Sequence, residues 1–147
     1  EVARLAGGRM GWAIQATSEP EMLQMIADRL DSVEQAVGST LEARFDYAEK
    51  LARRFTQGRA EVLEELDTWL GWWRDVMVIS EGKSELIWNV SRSATLESTA
   101  AGLRTSQAAG AVKAVQRTID LLQRNVNPRL VIEELMLAVP TVVIAQA

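Results

Sequence analysis

The sequence predicts an all-α protein, and three observations carry that expectation. Apolar residues recur at i, i+3, i+4 and i+7 over most of the chain, the period of a helix with one buried face. Turn signals are sparse, and most fall where that pattern breaks. Period-two alternation of useful length is confined to the tail "TVVIAQA" at 141–147, which is compatible with an extended end, a frayed helix or a cut site.

Taken in order, "EVARLAGG" reads as the end of a helix closed by Gly7 and Gly8, and "RMGWAIQATS" as a short helix packing through Trp12, Ala13 and Ala16. Pro20 then opens a helix, because proline is tolerated in the first turn, where its missing N–H has no intrahelical partner. Met22, Leu23, Ile26, Leu30 and Val33 form its apolar stripe, and Gly38 is the stop. Ser39 or Thr40 caps the next helix, whose apolar positions are Leu41, Phe45, Ala48, Leu51, Ala52 and Phe55. Gly58 ends it, and "EKLARR" supplies the wet face.

The stretch "LDTWLGWWRDVMVIS", residues 66–80, places three tryptophans within five positions. A helix from Arg59 to Ile79 gathers Val62, Leu63, Leu66, Trp69, Leu70, Trp73, Val76 and Met77 into one broad stripe. Trp72 falls off it, about 120° round from Leu66 at about 100° per residue, on a side shared with Ile79. A helix apolar on two sides is either sandwiched in its own bundle or offers its second side to a partner, where Trp and Arg dominate interface energetics.

"SEGKSELIWNVSRS" at 80–93 is the longest expected loop, pinned to the body by Leu86, Ile87 and Trp88. A short helix around Leu96–Leu103 precedes a long one in which Ala108, Val112, Val115, Ile119 and Leu122 repeat at four-three-four-three spacing. That repeat suits near-antiparallel packing in a bundle. In "NVNPRL", Asn127 is the N-cap and Pro128 the first helical residue of a last helix, "RLVIEELMLAV". That helix is apolar on most of its circumference and needs cover on more than one side.

The composition narrows the chemistry. With 147 residues, 48% hydrophobic and 24% charged, the chain suits one globular domain or two small ones. At roughly this length a fold buries about two-thirds of its unfolded surface without disulfide or metal. The sequence has no Cys and no His, which excludes a zinc site of Cys/His type, a thiol nucleophile and an imidazole base. A net charge of −4 argues against a free-standing nucleic-acid binder. No run of eighteen apolar residues and no secretory layout is present, so a cytoplasmic location with no membrane contact is expected. The start at Glu1 in "EVARLAGG" reads as the interior of a longer chain.

No motif points to catalysis. "EGKS" at 81–84 resembles the end of a phosphate-binding loop, but the required earlier glycine position holds Met77, and a turn is the better account. "NVS" at 89–91 matches a glycosylation triplet by chance in a chain without a signal. Glu64–Glu65 and Glu133–Glu134 point about 100° apart on a helix, cannot converge on one proton, and read as solvated faces. "AGGRMG" follows a helix and not a strand, against a dinucleotide site. The chain is therefore expected not to be an enzyme and to hold no cofactor and no metal.

Several stretches, in order, resemble one family. "LDTWLGWWRDVMVI", then "IWNVS", a long helix and "LLQRNVNPRLVIEELML" are similar to the C-terminal part of delta-prime subunits of the bacterial DNA polymerase III clamp loader. The related gamma/tau subunits share a similar ending. "LAGGRMGWAI" is similar to the sensor-2 segment of the ATPase lid, with Gly11 where ATP-hydrolysing subunits carry an arginine.

The resemblance implies a remnant of the AAA+ lid at 1–37 and a C-terminal helical collar domain at 38–147. It also implies a non-hydrolysing role in DNA replication. In such a complex, DNA-directed synthesis belongs to the parent polymerase, and this part assembles with gamma/tau and delta subunits into a pentameric collar that supports loading of the sliding clamp. DNA is then met only indirectly. Trp72 and Ile79 are expected on a neighbouring subunit, Arg74 and Asp75 as an ion pair across the boundary or a solvated surface pair, and Asn125 and Arg129 as further interface residues. The competing reading is a helix-turn-helix module at 124–138 that binds DNA or regulates.

Overall fold

The computed structural model describes residues 20–142, and these are all-helical. Six α-helices follow in order: α1 Pro20–Val37, α2 Leu41–Gln57, α3 Arg59–Ser80, α4 Ser93–Ala101, α5 Thr105–Leu122 and α6 Pro128–Ala138. Two short 3-10 turns, Ser84–Leu86 and Val90–Arg92, lie between α3 and α4. No described helix is long and apolar enough to cross a membrane. Residues 1–19, with Gly11 and the two helices expected there, and the tail 143–147 lie outside the described residues.

The punctuation is chemical. Thr40 Oγ1 accepts the Ala43 N–H at 3.2 Å at the start of α2, and Asn127 Oδ1 accepts the Arg129 N–H at 3.0 Å in front of Pro128. α3 closes in a Schellman motif: the Lys83 N–H reaches Val78 O at 3.1 Å and the Gly82 N–H reaches Ile79 O at 2.8 Å. This turn requires Gly82 at φ 77°, which a side chain would strain. "EGKS" is thus a helix stop.

α3 is the axis of the molecule. At 22 residues it is about 33 Å long. It packs on α1, α2, α4, α5 and the first 3-10 turn, while α2 and α5 each pack on α6. Val62, Leu66, Trp69, Trp72, Trp73 and Val76 are all fully enclosed. Leu30, Val33, Ala36 and Val37 of α1 belong to the same apolar cluster as residues of every later helix, so the described part of 1–37 shares one core with 38–142.

Two polar groups are built into this core. Arg44, on the first turn of α2, is 1% exposed and has no carboxylate partner among the described residues. Its five N–H donors go to five carbonyls: Ala36 (3.1 Å), Val37 (2.9 Å), Met136 (3.2 Å), Val139 (3.1 Å) and Pro140 (2.7 Å). These carbonyls lie at or just past the C-terminal ends of α1 and α6, where helix dipoles favour a cation. Burial pulls the Arg44 pKa below the usual guanidinium value.

The second group is Glu65, one of the carboxylates expected on a solvated face. It is instead buried, accepting from Tyr47 Oη at 2.6 Å and from Arg54 Nη2 at 2.7 Å, while Trp69 Nε1 donates to Tyr47 Oη at 2.9 Å. The expectation failed because Glu65 points towards α2, whereas its neighbour Glu64 turns outward to Arg29. Burial first, and the Glu65 charge second, hold the Tyr47 hydroxyl well above the ordinary phenol pKa.

Tyr47→Phe leaves both Trp69 Nε1 and one Glu65 oxygen unpaired, and urea titration at neutral pH is expected to show a loss of about 1–3 kcal/mol. Because the folded-state pKa is raised, the hydroxyl's contribution is complete below about pH 10 and is lost as pH rises through the folded value. The wild type should therefore weaken more than the variant in alkali. Parallel pH profiles would overturn this assignment.

Gly110 lies inside α5, and a Cβ built on it meets nothing within 4 Å. Glycine in a helix interior costs about 0.5–1 kcal/mol relative to alanine. Gly110→Ala is therefore expected to raise the thermal midpoint, and a lower midpoint would show that the position is tighter than its surroundings indicate.

Candidate subunit interface

The residues expected to face a neighbour fall into three groups. Trp72 is 0% exposed, and the expectation that it faces another subunit is overturned: α3 is covered by its own chain on both of its apolar sides. Ile79 is partly buried and packs against the same core. The indole N–H groups of Trp72 and Trp73 find no acceptor among the described residues, so these side chains contribute apolar area alone.

Arg74 and Asp75 are neither an ion pair across a boundary nor a solvated pair. Asp75 is 0% exposed and faces the loop after α3. Its carboxylate accepts the Trp88 N–H at 3.0 and 3.1 Å, the Asn89 N–H at 2.8 Å and Asn89 Nδ2 at 2.9 Å. Arg74 Nη1 donates to Asp75 Oδ1 and to Leu86 O, both at 2.9 Å, and its guanidinium lies 4.1 Å from the Trp88 ring centre, a cation–π distance. Gly71 lies directly beneath the loop, where even a Cβ would be in ordinary van der Waals contact with the Trp88 ring at 3.7 Å and Asn89 Nδ2 at 3.9 Å. The segment "GWWRD" is therefore a device that fastens residues 84–92 to the bundle. Sequence periodicity could not find it, because the partners are backbone amides of an irregular loop.

Asn125 and Arg129 do lie on the surface. Asn125 takes the left-handed conformation at φ 59° in the turn between α5 and α6, where Asn is tolerated. Its Oδ1 accepts from Arg59 Nη1 at 3.4 Å. Arg129 pairs with Glu133 one turn on, at 2.9 Å, an ion pair open to solvent screening.

The apolar excess expected on α3 sits elsewhere. α6 buries Val131, Ile132, Leu135 and Met136 but leaves Leu130 62% and Leu137 61% exposed, the two most exposed large apolar residues described. Spaced by seven, they stand on one outward ridge with Glu134 between them. Beside the ridge, a groove of about 260 Å³ runs between α5 and α6, floored by Leu121, Val131 and Leu135. Gly110, Lys113 and Arg117 form its α5 rim. The final helix was expected to need cover on more than one side, and this ridge is the side its own chain leaves open.

No family model, no curated protein and no solved structure matches the chain.

Proposed function

We propose that this chain acts by assembly rather than catalysis, as the C-terminal collar segment of a non-hydrolysing clamp-loader subunit that packs beside gamma/tau- and delta-type subunits in a bacterial cytoplasm. The observation that carries the reading is the Leu130–Leu137 ridge, left open on a bundle that encloses Trp69, Trp72 and Trp73. It lies in "NVNPRLVIEELML", one of the stretches on which the resemblance rests. Apolar, weakly charged ridges of this kind are what lasting subunit contacts bury. The tryptophan segment is not part of this surface, since its side chains and its Arg-Asp pair are used within the chain.

The helix-turn-helix alternative has less support. A recognition helix needs cations and polar groups towards the bases and phosphates. The outward residues of α6 are Arg129 against Glu133 and Glu134, with two leucines.

Mixing the chain with the C-terminal region of a gamma-type subunit and measuring mass by light scattering tests the proposal. A stable hetero-oligomer that Leu137→Asp abolishes is the expected result. A chain that ignores the gamma-type region but binds DNA in a salt-sensitive way would replace the collar reading with the alternative.

A further inference from the structure

Large apolar groups, a gap and both signs of charge meet on the outer face of the α5–α6 hairpin, and we infer that this face is a two-fold interface between two copies of the chain. The inference goes beyond the collar reading: it uses the same Leu130–Leu137 ridge but rests on the complementarity of the face to itself, so a second copy and a gamma-type subunit would compete for that ridge.

An isologous contact requires one patch to carry both halves of every interaction. Here the raised half is Leu130, Glu134 and Leu137, spaced by four and three on α6. The receiving half is the groove, with Gly110, Lys113 and Arg117 on a single stripe of α5. Glycine at 110 is not demanded by the chain's own packing, since nothing lies within 4 Å of where its Cβ would be. It lowers the α5 rim and leaves room for a leucine from outside.

The charges follow the same logic. Arg117 and Glu134 approach only to 3.9 Å across the groove, with both side chains more than half exposed, and Lys113 forms no ion pair among the described residues. A two-fold operation brings Glu134 of each copy to Lys113 and Arg117 of the other, satisfying both signs at once. Two helical hairpins meeting in this way make an antiparallel four-helix arrangement.

The size of the face sets the strength. α6 is about 16 Å long and two packed helices are roughly 20 Å across, which gives a few hundred Å² per copy. That is below the roughly 800 Å² per partner of a standard stable interface, so the dimer is a transient, exchanging one.

Sedimentation velocity over a wide concentration range tests the inference on the chain alone, apart from any clamp-loader subunit. The wild type should pass from monomer to dimer with rising concentration. Glu134→Lys makes the face uniformly positive and the double variant Lys113→Glu/Arg117→Glu makes it uniformly negative. Each alone should stay monomeric, and their equimolar mixture should dimerise, a result that general damage to the fold cannot produce. Leu137→Asp should also stay monomeric with an unchanged helical circular dichroism spectrum. A wild type that is monomeric throughout, a dimer indifferent to these variants, or charge variants that do not associate when mixed would each overturn the inference. Hetero-assembly with a gamma-type subunit is measured separately with that protein present, so a failure of self-association and a failure of the collar reading are told apart.

Discussion

Replacing Arg44 by methionine is expected to destabilise the fold by about 3–5 kcal/mol, the range seen when one partner of a buried charged contact is removed. Methionine keeps most of the side-chain volume, so the loss isolates the hydrogen bonds from the packing. Five carbonyls at and just past the ends of α1 and α6 lose the guanidinium donors. While Ala36 O keeps the Ser39 N–H and hydroxyl, the buried Val37, Met136 and Val139 carbonyls are left without a side-chain donor at a position 1% exposed. Against a total stability of about 5–15 kcal/mol, such a loss brings the chain near unfolding at ambient temperature. Arg44→Lys retains the cation but not the planar fork and should fall between the two. Urea titration with unchanged m-values measures the series, and an Arg44→Met variant within 1 kcal/mol of wild type would show that packing, not capping, is what Arg44 supplies.

Asp75→Asn should have an effect of similar size, about 3–5 kcal/mol, though the change is a single atom. Asparagine keeps one acceptor and turns an NH2 towards the remaining donors, among them the Trp88 and Asn89 backbone N–H groups. Arg74 also loses the charge that offsets its own. The damage should begin locally, with residues 84–92 released from α3 before the bundle melts. Hydrogen exchange at the Trp88 and Asn89 amides and protease cleavage between α3 and α4 report this directly. Unchanged protection at those two amides would mean that the loop is held by its apolar contacts, chiefly the buried Ile87.

The two residues differ in how much the sequence says of them. Arg74 and Asp75 in "GWWRD" follow three tryptophans, a setting that reads as a contact surface, whereas the structure uses them to hold a loop. Nothing in the local sequence sets Arg44 apart. It lies among ordinary polar positions of α2, and its five acceptors come from residues 7 to 96 positions away along the chain.

Local signals were legible wherever a residue's role depends on its near neighbours. The order of the helices from Pro20 to Ala138, a cap at Ser39 or Thr40, the cap at Asn127 and the stops at Gly38 and Gly58 follow from propensity, capping chemistry and a 3.6-residue period. All of these act within one or two turns. The sequence by itself also determined how much apolar circumference the helices carry. Which part of it stays open was decided only by the tertiary structure, which wraps α3 on both sides, enclosing Trp72, and leaves Leu130 and Leu137 of α6 outside. The physical reason is that burial belongs to the arrangement of whole helices in space, set by packing between segments far apart in the chain, whereas periodicity records only that a face is apolar and not what will cover it.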